Sequence, residues 1–358
     1  MNRKLLLFSI LLGLYIPAKA QVLQSDNFNS LTVGNIGADF TGATPGQGGW
    51  LTLASNGATP TTTTNAGNAN FQIVAAGGTN ANVFSLQGPN GDKGSRLMWK
   101  SGLAAAWGTR TAGNNIIEIE VDINPGTRGA SLNDFGLSLF NSDRTKQLCG
   151  FRVDAASGEL FLVAYSYPQG APGPNNYIYP IDVDTPVLLP QNQYSRIGVS
   201  FNSVTGAVLI KGPGIGAAGI GIPGSAAGIV PNQTELLATA GASATPLNAA
   251  SATMTFDNFL IKASATDTLL GTEAFTSVES SKLSVYPNPA NNIVTISNAE
   301  NLQINAVVIT DVNGRTVKTL EFGGVAETQI NVSDLNSGIY FMSIDTNEGT
   351  ATKKIIKN

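Results

Sequence analysis

Three carboxylates at alternate positions, Glu118, Glu120 and Asp122, carry the sharpest chemical signal in the chain. Alternate residues of a strand share one face, so the three acids line up as candidate catalytic carboxylates. A retaining pair of carboxyl groups stands about 5–5.5 Å apart, whereas strand residues four apart are separated by about 13 Å. Glu118 and Asp122 therefore converge only if twist or a bulge bends the strand. The same run also reads as one side of an ordinary half-buried strand. Ile117, Ile119, Val121 and Ile123 make the dry face, and the acids make the wet one.

A second constellation is aromatic. Tyr165 with Tyr167, and Tyr177 with Tyr179, stand at strand spacing on either side of a Pro/Gly/Asn loop. Aromatic faces stack on sugar rings, and neighbouring Asn and Gln hydrogen-bond to hydroxyls, so these four are the candidate glycan-binding residues. They could equally point into a core or rim it, as Trp50, Trp99 and Trp107 are expected to do. Asp26, in SDNFNS, and Asp257, in TFDNFLI, come together if the first and last strands pair. They are the candidate ligands of a structural calcium, although two carboxylates fall short of the six to eight oxygens that ion takes.

The 358 residues contain no histidine, which removes Ser-His-Asp and Cys-His catalysis and histidine-ligated zinc or copper. The single cysteine, Cys149, lies in QLCGFRV and reads as a small buried hydrophobe.

What positions these residues reads as β-structure throughout. Residues 1–20 form a secretory signal peptide: Arg3 and Lys4, then an apolar run from Leu5 to Ile16, then Ala18-Lys19-Ala20. Removing them leaves 17 basic against 24 acidic residues, moving the net charge from −4 to −7. No basic stripe is present to bind nucleic acid or an anionic membrane, and no later stretch has the length of a transmembrane helix. From residue 21 to 262, short strands alternate with Gly/Asn/Ser/Thr turns. Phe151–Val153 with Leu160–Ala164 forms one hairpin, and Ile197–Phe201 with Ala207–Ile210 another. Gly158 and Gly206 supply the turns.

The opening DNFNSLTVGNIG…GGW, the two hairpins and the closing MTFDNFLI resemble the laminin-G-like or concanavalin-like jelly-roll superfamily, which implies a large β-sandwich. Within it, the EIEVD run resembles the catalytic strand of laminarinase-like glucanases. That resemblance implies Glu118 as nucleophile, Glu120 as helper and Asp122 as acid/base, with the last two swapped in type relative to the family. The uncharged run 212–232, rich in Gly, Ala and Ile, is either a long loop laid on the sandwich or a sticky surface segment. Residues 263–282 read as a linker of small polar residues. Asp267-Thr268-Leu269 within it matches the Asp-Ser/Thr-apolar pattern glycosylated in exported proteins of the Bacteroidetes group.

Residues 283–358 hold regular β signals: LSVYPNPANNIVTIS, ITDVNGRTVKT, LNSGIYFMSI and TKKIIK, in that order. Turns every eight to twelve residues predict a small immunoglobulin-like sandwich. The four motifs together resemble the type A C-terminal sorting domain of the type IX secretion system. The resemblance implies a non-catalytic address read by the type IX machinery and its sortase, and a destination outside the cell or on its outer surface. It maps onto Pro287, Asn288, Pro289, Asp311, Asn313, Gly314, Gly338, Tyr340, Lys353 and Lys354. Each residue also has a plain structural reading, the prolines ending a strand, Gly314 and Gly338 permitting tight turns, and the lysines being solvated.

The expectation is thus an all-β exported protein with two sandwiches and no cofactor beyond a structural calcium. Its large domain is read as a non-catalytic module, for glycan by preference. A polysaccharide hydrolase or lyase, and an adhesive surface protein built on residues 212–232, are the alternatives.

Overall fold

In a computed structural model the chain is described over residues 20–57, 65–76, 82–241, 247–270, 283–298, 303–311, 316–346 and 349–358. The signal-peptide residues 1–19 lie outside this set, as do residues 271–282 of the expected linker. No helix among the described residues is long and apolar enough to cross a membrane.

The larger unit is a jelly-roll β-sandwich of two antiparallel sheets. One runs in the order β14 (Ile220–Ile222), β13 (Val208–Lys211), β12 (Ser195–Asn202), β7 (Ile116–Asn124), β16 (Thr253–Ser264), β5 (Asn82–Gln87), β4 (Phe71–Ala75) and β2 (Gly34–Asn35). Its ninth strand, β1 (Gln21–Asp26), also pairs with β16. The other sheet runs β11 (Asn175–Pro180), β10 (Leu160–Ser166), β9 (Gln147–Asp154), β8 (Asp134–Phe140), β15 (Gln233–Thr239), β6 (Ser95–Lys100) and β3 (Trp50–Ser55). One short helix, α1 (Leu103–Gly108), joins the two sheets.

Strand alternation builds the core. Ile117, Ile119, Val121 and Ile123 of β7 face Phe135, Leu137, Phe151 and Leu162 of the other sheet, all buried. Phe28, Trp50, Phe84, Phe256 and Phe259 form a chain of ring contacts near one end, with centroids 5.5–6.0 Å apart. Each such side chain contributes about 1.5–3 kcal/mol by leaving water. The two expected hairpins are β9–β10 and β12–β13, with Gly158 and Gly206 at φ +76° and +78°. Residues 212–232 lie on the sandwich. Ile220–Ile222 adds a strand to β13, Ala226 is buried, and Ile215 and Ile229 pack partly against the core.

The smaller unit also has two antiparallel sheets. Three strands, β17 (Leu283–Tyr286), β18 (Ile293–Asn298) and β21 (Glu327–Asn331), make one. The other has the order β20 (Thr316–Val325), β19 (Ile304–Asp311), β22 (Gly338–Thr346) and β23 (Gly349–Lys357). Its core includes Val294, Ile296, Val307, Ile309, Met342 and Ile344.

Candidate functional site

The acidic run on β7 is neither a solvated face nor an open pair of carboxylates. Glu118 is 0% and Glu120 1% exposed. The end of the sandwich's own chain covers them: after β16, residues 265–270 turn back across β7. Glu118 accepts from Ser264 Oγ at 2.9 Å, from the Thr268 N–H at 2.6 Å and from Thr268 Oγ1 at 2.7 Å. Glu120 accepts from the Leu270 N–H at 3.1 Å. Buried Lys262 bridges the two acids at 3.0 and 2.9 Å, and Arg196 joins Glu120 to Asp122 at 3.1 and 3.3 Å. Gly198 on β12 makes room for this strap, since a Cβ there would stand 2.7 Å from Leu269 Cδ1. Carboxylates so fully partnered cross-link the sheet to its strap. Thr268, the acceptor residue of the glycosylation pattern, has its hydroxyl committed to Glu118.

The first and last strands do pair, with Asp26 opposite Phe259. Asp26 is already neutralised. Its Oδ1 accepts from the Phe28 N–H at 2.8 Å, and its Oδ2 from Trp50 Nε1 and Lys100 Nζ, each at 2.8 Å. Asp257 sits across the strands from Asp122, beside a bulge where Asn258 takes φ +49°. Burial, with further help from Asp122, raises its carboxyl to about 7. Asp26 contributes only the weakest of the influences on it. Among the described residues no group of three or more His, Cys, Asp or Glu side chains could hold a metal ion.

The four tyrosines divide between two faces. Tyr177 and Tyr179 stand opposite Ala164 and Leu162, on the core side of β11, with ring centroids 6.3 Å apart. Their hydroxyls are taken by the Gly173 carbonyl and by Ser166. Tyr165 points to the other side, opposite Asn176, and Tyr167 is exposed in the loop beyond β10.

It is the outer face of the seven-stranded sheet, the one carrying Tyr165, that collects polar chemistry. Register places Trp99, Glu235, Ser138, Gly150 and Val163 in one row across β6, β15, β8, β9 and β10. In the next row Gly136 stands opposite Arg152. Gly136 and Gly150 let neighbouring strands approach closely; a Cβ on either would run into the carbonyl oxygens of Phe151 and Leu137, respectively. Over this bare backbone lies Arg152, 7% exposed, donating to the carbonyls of Leu137 and Phe151 at 3.0 and 2.8 Å. Gln147 Oε1 accepts from Arg152 Nη2 at 2.9 Å and from Ser138 Oγ at 3.0 Å. Glu235, 1% exposed, is met by Arg144 at 2.7 Å and by Gln233 at 2.6 Å.

Two features bound this band. At one end the β8–β9 hairpin brings Arg144 over the Phe140 ring and the Lys146 ammonium over the Tyr165 ring, 5.5 and 5.2 Å from their centroids. At the other end a cavity of about 330 Å³ is lined by Asp134, Asp154, Ser157, Glu159 and Phe161. There burial, reinforced by Asp154, raises Asp134 to about 6. Burial likewise lowers Arg152 to about 10, leaving it charged at neutral pH. Hydroxyl, amide, guanidinium and carboxylate groups flanked by half-buried Trp99 and Tyr165 suit a polyhydroxylated ligand. Of these residues the sequence singled out Tyr165 and, as core or rim, Trp99. The missed signals are Gly136 and Gly150 inside strands, and lone charges in apolar runs, Arg152 in LCGFRVD and Glu235 in QTELLAT.

In the small unit the Pro287–Asn288–Pro289 corner meets the last strand. Pro287, Asn288 and Pro289 are exposed, each proline following a cis peptide bond. Asn288 clamps the corner to the last strand: its Nδ2 donates to the Lys354 carbonyl at 2.8 Å, and its Oδ1 accepts from the Ile356 N–H at 2.9 Å. Lys354 is exposed, while Lys353 is partly buried and lowered by that burial. Asp311 faces Tyr340 across β19 and β22, and the Tyr340 hydroxyl donates to the Asn336 carbonyl at 2.9 Å. Asn313 and Gly314 lie outside the described residues. Gly338 starts β22 with no left-handed φ, so it does not serve a tight turn; a Cβ there would meet only the Tyr340 ring, at 3.9 Å.

Residues 284–358 match the family model described as the secretion system C-terminal sorting domain. They form a type IX sorting domain, so the protein is exported to the cell surface or beyond it. The chain matches no curated protein. Among solved structures it is similar to the botulinum neurotoxin serotype C1 binding domain, with TM-score 0.41 and 11% identity over 92% of this chain and 72% of that one. It is also similar to the cellulose-induced protein Cip1, with TM-score 0.40 and 10% identity over 65% and 99%. For alginate lyase vAL-1 from Chlorella virus the values are 0.36 and 10%, over 53% and 88%.

Proposed function

We propose that the large sandwich is a non-catalytic glycan-binding module, carried outside the cell by its sorting domain. The observation that carries the reading is the polar band on the outer face of the seven-stranded sheet. Gln147 ties Ser138 to Arg152 there over a glycine floor, Arg144 and Gln233 hold Glu235 beside them, and Trp99 and Tyr165 stand at the sides. Such a surface is preorganised, so little ordering entropy is lost when a flexible polysaccharide settles on it.

The passenger in this proposal runs from Gln21 through Leu270, because residues 265–270 are bound to Glu118 and Glu120. The sorting signal proper is the corner in which Pro287, Asn288 and Pro289 meet the backbone of Lys354 and Ile356, and the type IX machinery and its sortase read that folded corner. The test is a panel of plant, algal and bacterial polysaccharides presented to the mature chain. Binding that falls at least about tenfold in a Tyr165→Ala, Trp99→Ala double variant supports the reading, each aromatic contributing about 0.5–1.5 kcal/mol. Undiminished binding in a folded double variant moves the site elsewhere.

A further inference from the structure

The cations of the large sandwich are almost all accounted for by its own acids and carbonyls. Lys100 pairs with Asp26, Arg196 with Glu120 and Asp122, Lys211 with Asp267, Lys262 with Glu118 and Glu120, and Arg144 with Glu235. Arg96, Arg110 and Arg128 donate to backbone carbonyls. Lys146 is different. It is half-buried, its ammonium stands over the Tyr165 ring, and among the described residues that ammonium makes neither an ion pair nor a hydrogen bond. Asp143, three positions back, is turned into its own hairpin, accepting from the Thr145 N–H at 3.0 Å and hydroxyl at 2.6 Å. Its coupling to Lys146 is the weakest of the influences on that carboxylate.

The hairpin that presents Lys146 is rigid. Asn141 Oδ1 accepts from the Lys146 N–H at 3.0 Å, the Asn141 N–H donates back to the Lys146 carbonyl, and Arg144 is held at φ +59°. A non-glycine residue in that region carries strain that the surrounding hairpin has to hold. Arg152, the other cation of this face without an acid in contact, lies in the same band and shares Gln147 with Ser138. Of the acids of the face, Glu235 is paired with Arg144, while Asp134 and Asp154, opposite each other on β8 and β9, lie at the far end, about 25 Å from Lys146 at strand rise. The face is therefore polar along its length, cationic at the hairpin and acidic at the cavity.

We propose that the glycan taken here is anionic, with a carboxylate or sulfate of the polymer paired to Lys146 beside Tyr165, and its neutral hydroxyls running toward Asp134 and Asp154. This rests on the glycan-binding reading above. The uncompensated charge supplies the selectivity, because an anionic sugar gains a charge-assisted hydrogen bond that a neutral one lacks. The acidic end fixes the direction in which the chain lies.

The test uses the mature full-length protein, calorimetric titration at low and high salt, and three probes: polygalacturonate, a sulfated galactan and an uncharged galactan. Tighter binding of either anionic polymer, weakened by salt, is expected, and which of the two binds tells carboxylate from sulfate. Lys146→Gln is expected to reduce that affinity about tenfold, the worth of one hydrogen bond to a charged group. Lys146→Arg is expected to retain it, with both variants melting like the parent. Equal binding of the uncharged galactan, indifferent to Lys146→Gln, overturns the anionic assignment while leaving glycan binding in place. Binding of none of these polymers, nor of any in the wider panel, overturns both.

Discussion

The two sheets of the large sandwich both bury charged residues on their outer faces, and they treat them in opposite ways. On the nine-stranded sheet, Glu118 and Glu120 are closed off by Lys262, Arg196 and the strap of residues 265–270. On the seven-stranded sheet, Gln147 accepts from Ser138 and Arg152, and Glu235 is met by Arg144 and Gln233, partners that come from the same sheet and its β8–β9 hairpin. Among the described residues the Lys146 ammonium at their edge makes no ion pair. A saturated network gives cohesion, whereas one with spare valence at its margin can take a ligand. Buried charge alone therefore does not mark a site; what matters is who completes its hydrogen bonding.

The contrast can be broken first at its strongest point. Lys262→Met leaves two buried carboxylates without their ammonium and is expected to lower stability by about 3–5 kcal/mol in urea unfolding, without altering the seven-stranded face. Thr268→Val removes one of the donors to Glu118 and should cost about 1.5–3 kcal/mol in the same measurement. A loss near zero would mean that the strap is ornamental.

Asp257, beside the closed network, gives a pH signature. Its carboxyl is raised by burial from 3.8 to about 7, so the folded protein binds that proton more tightly than the unfolded chain. Its stabilising contribution is complete below the unfolded value and is lost as pH rises through about 7. Asp257→Asn should flatten that decline in a series of melts; an unchanged slope would assign it to other groups. The smallest effect is expected in the sorting domain. There Gly338→Ala should change the unfolding free energy by no more than the about ±0.5 kcal/mol of ordinary surface changes, because a methyl group has room and the backbone needs no left-handed φ.

Much of the scaffold can be read from residue order alone. The hairpins closed by Gly158 and Gly206, the buried isoleucines of β7 and the sorting domain's strands all follow from alternation and turn chemistry. The acids of β7 defeat that logic because their partners come from far away: Thr268 and Leu270 lie 150 residues beyond Glu118 and Glu120. A period-two pattern says which residues share a face, and it is silent on whether a distant segment will cover that face. The polar band of the other sheet is hidden for the same reason, since Trp99, Ser138, Gln147, Arg152 and Glu235 come from four strands separated in sequence. Only register brings them together. The tyrosine pairs show the limit from the other side: equal spacing on β10 and β11 sends Tyr165 outward and Tyr177 and Tyr179 inward.

The measurement that tests the division between a structural face and a binding face most directly is one titration performed on two variants side by side. Thr268→Val and Gln147→Ala are each titrated with the polysaccharide that binds the parent best, at a temperature where both are folded. The expected result is a crossed one: Thr268→Val is less stable but binds like the parent, whereas Gln147→Ala loses about tenfold in affinity, one hydrogen-bonded charged contact. Parent-like binding by Gln147→Ala, or affinity lost with Thr268→Val, would contradict it.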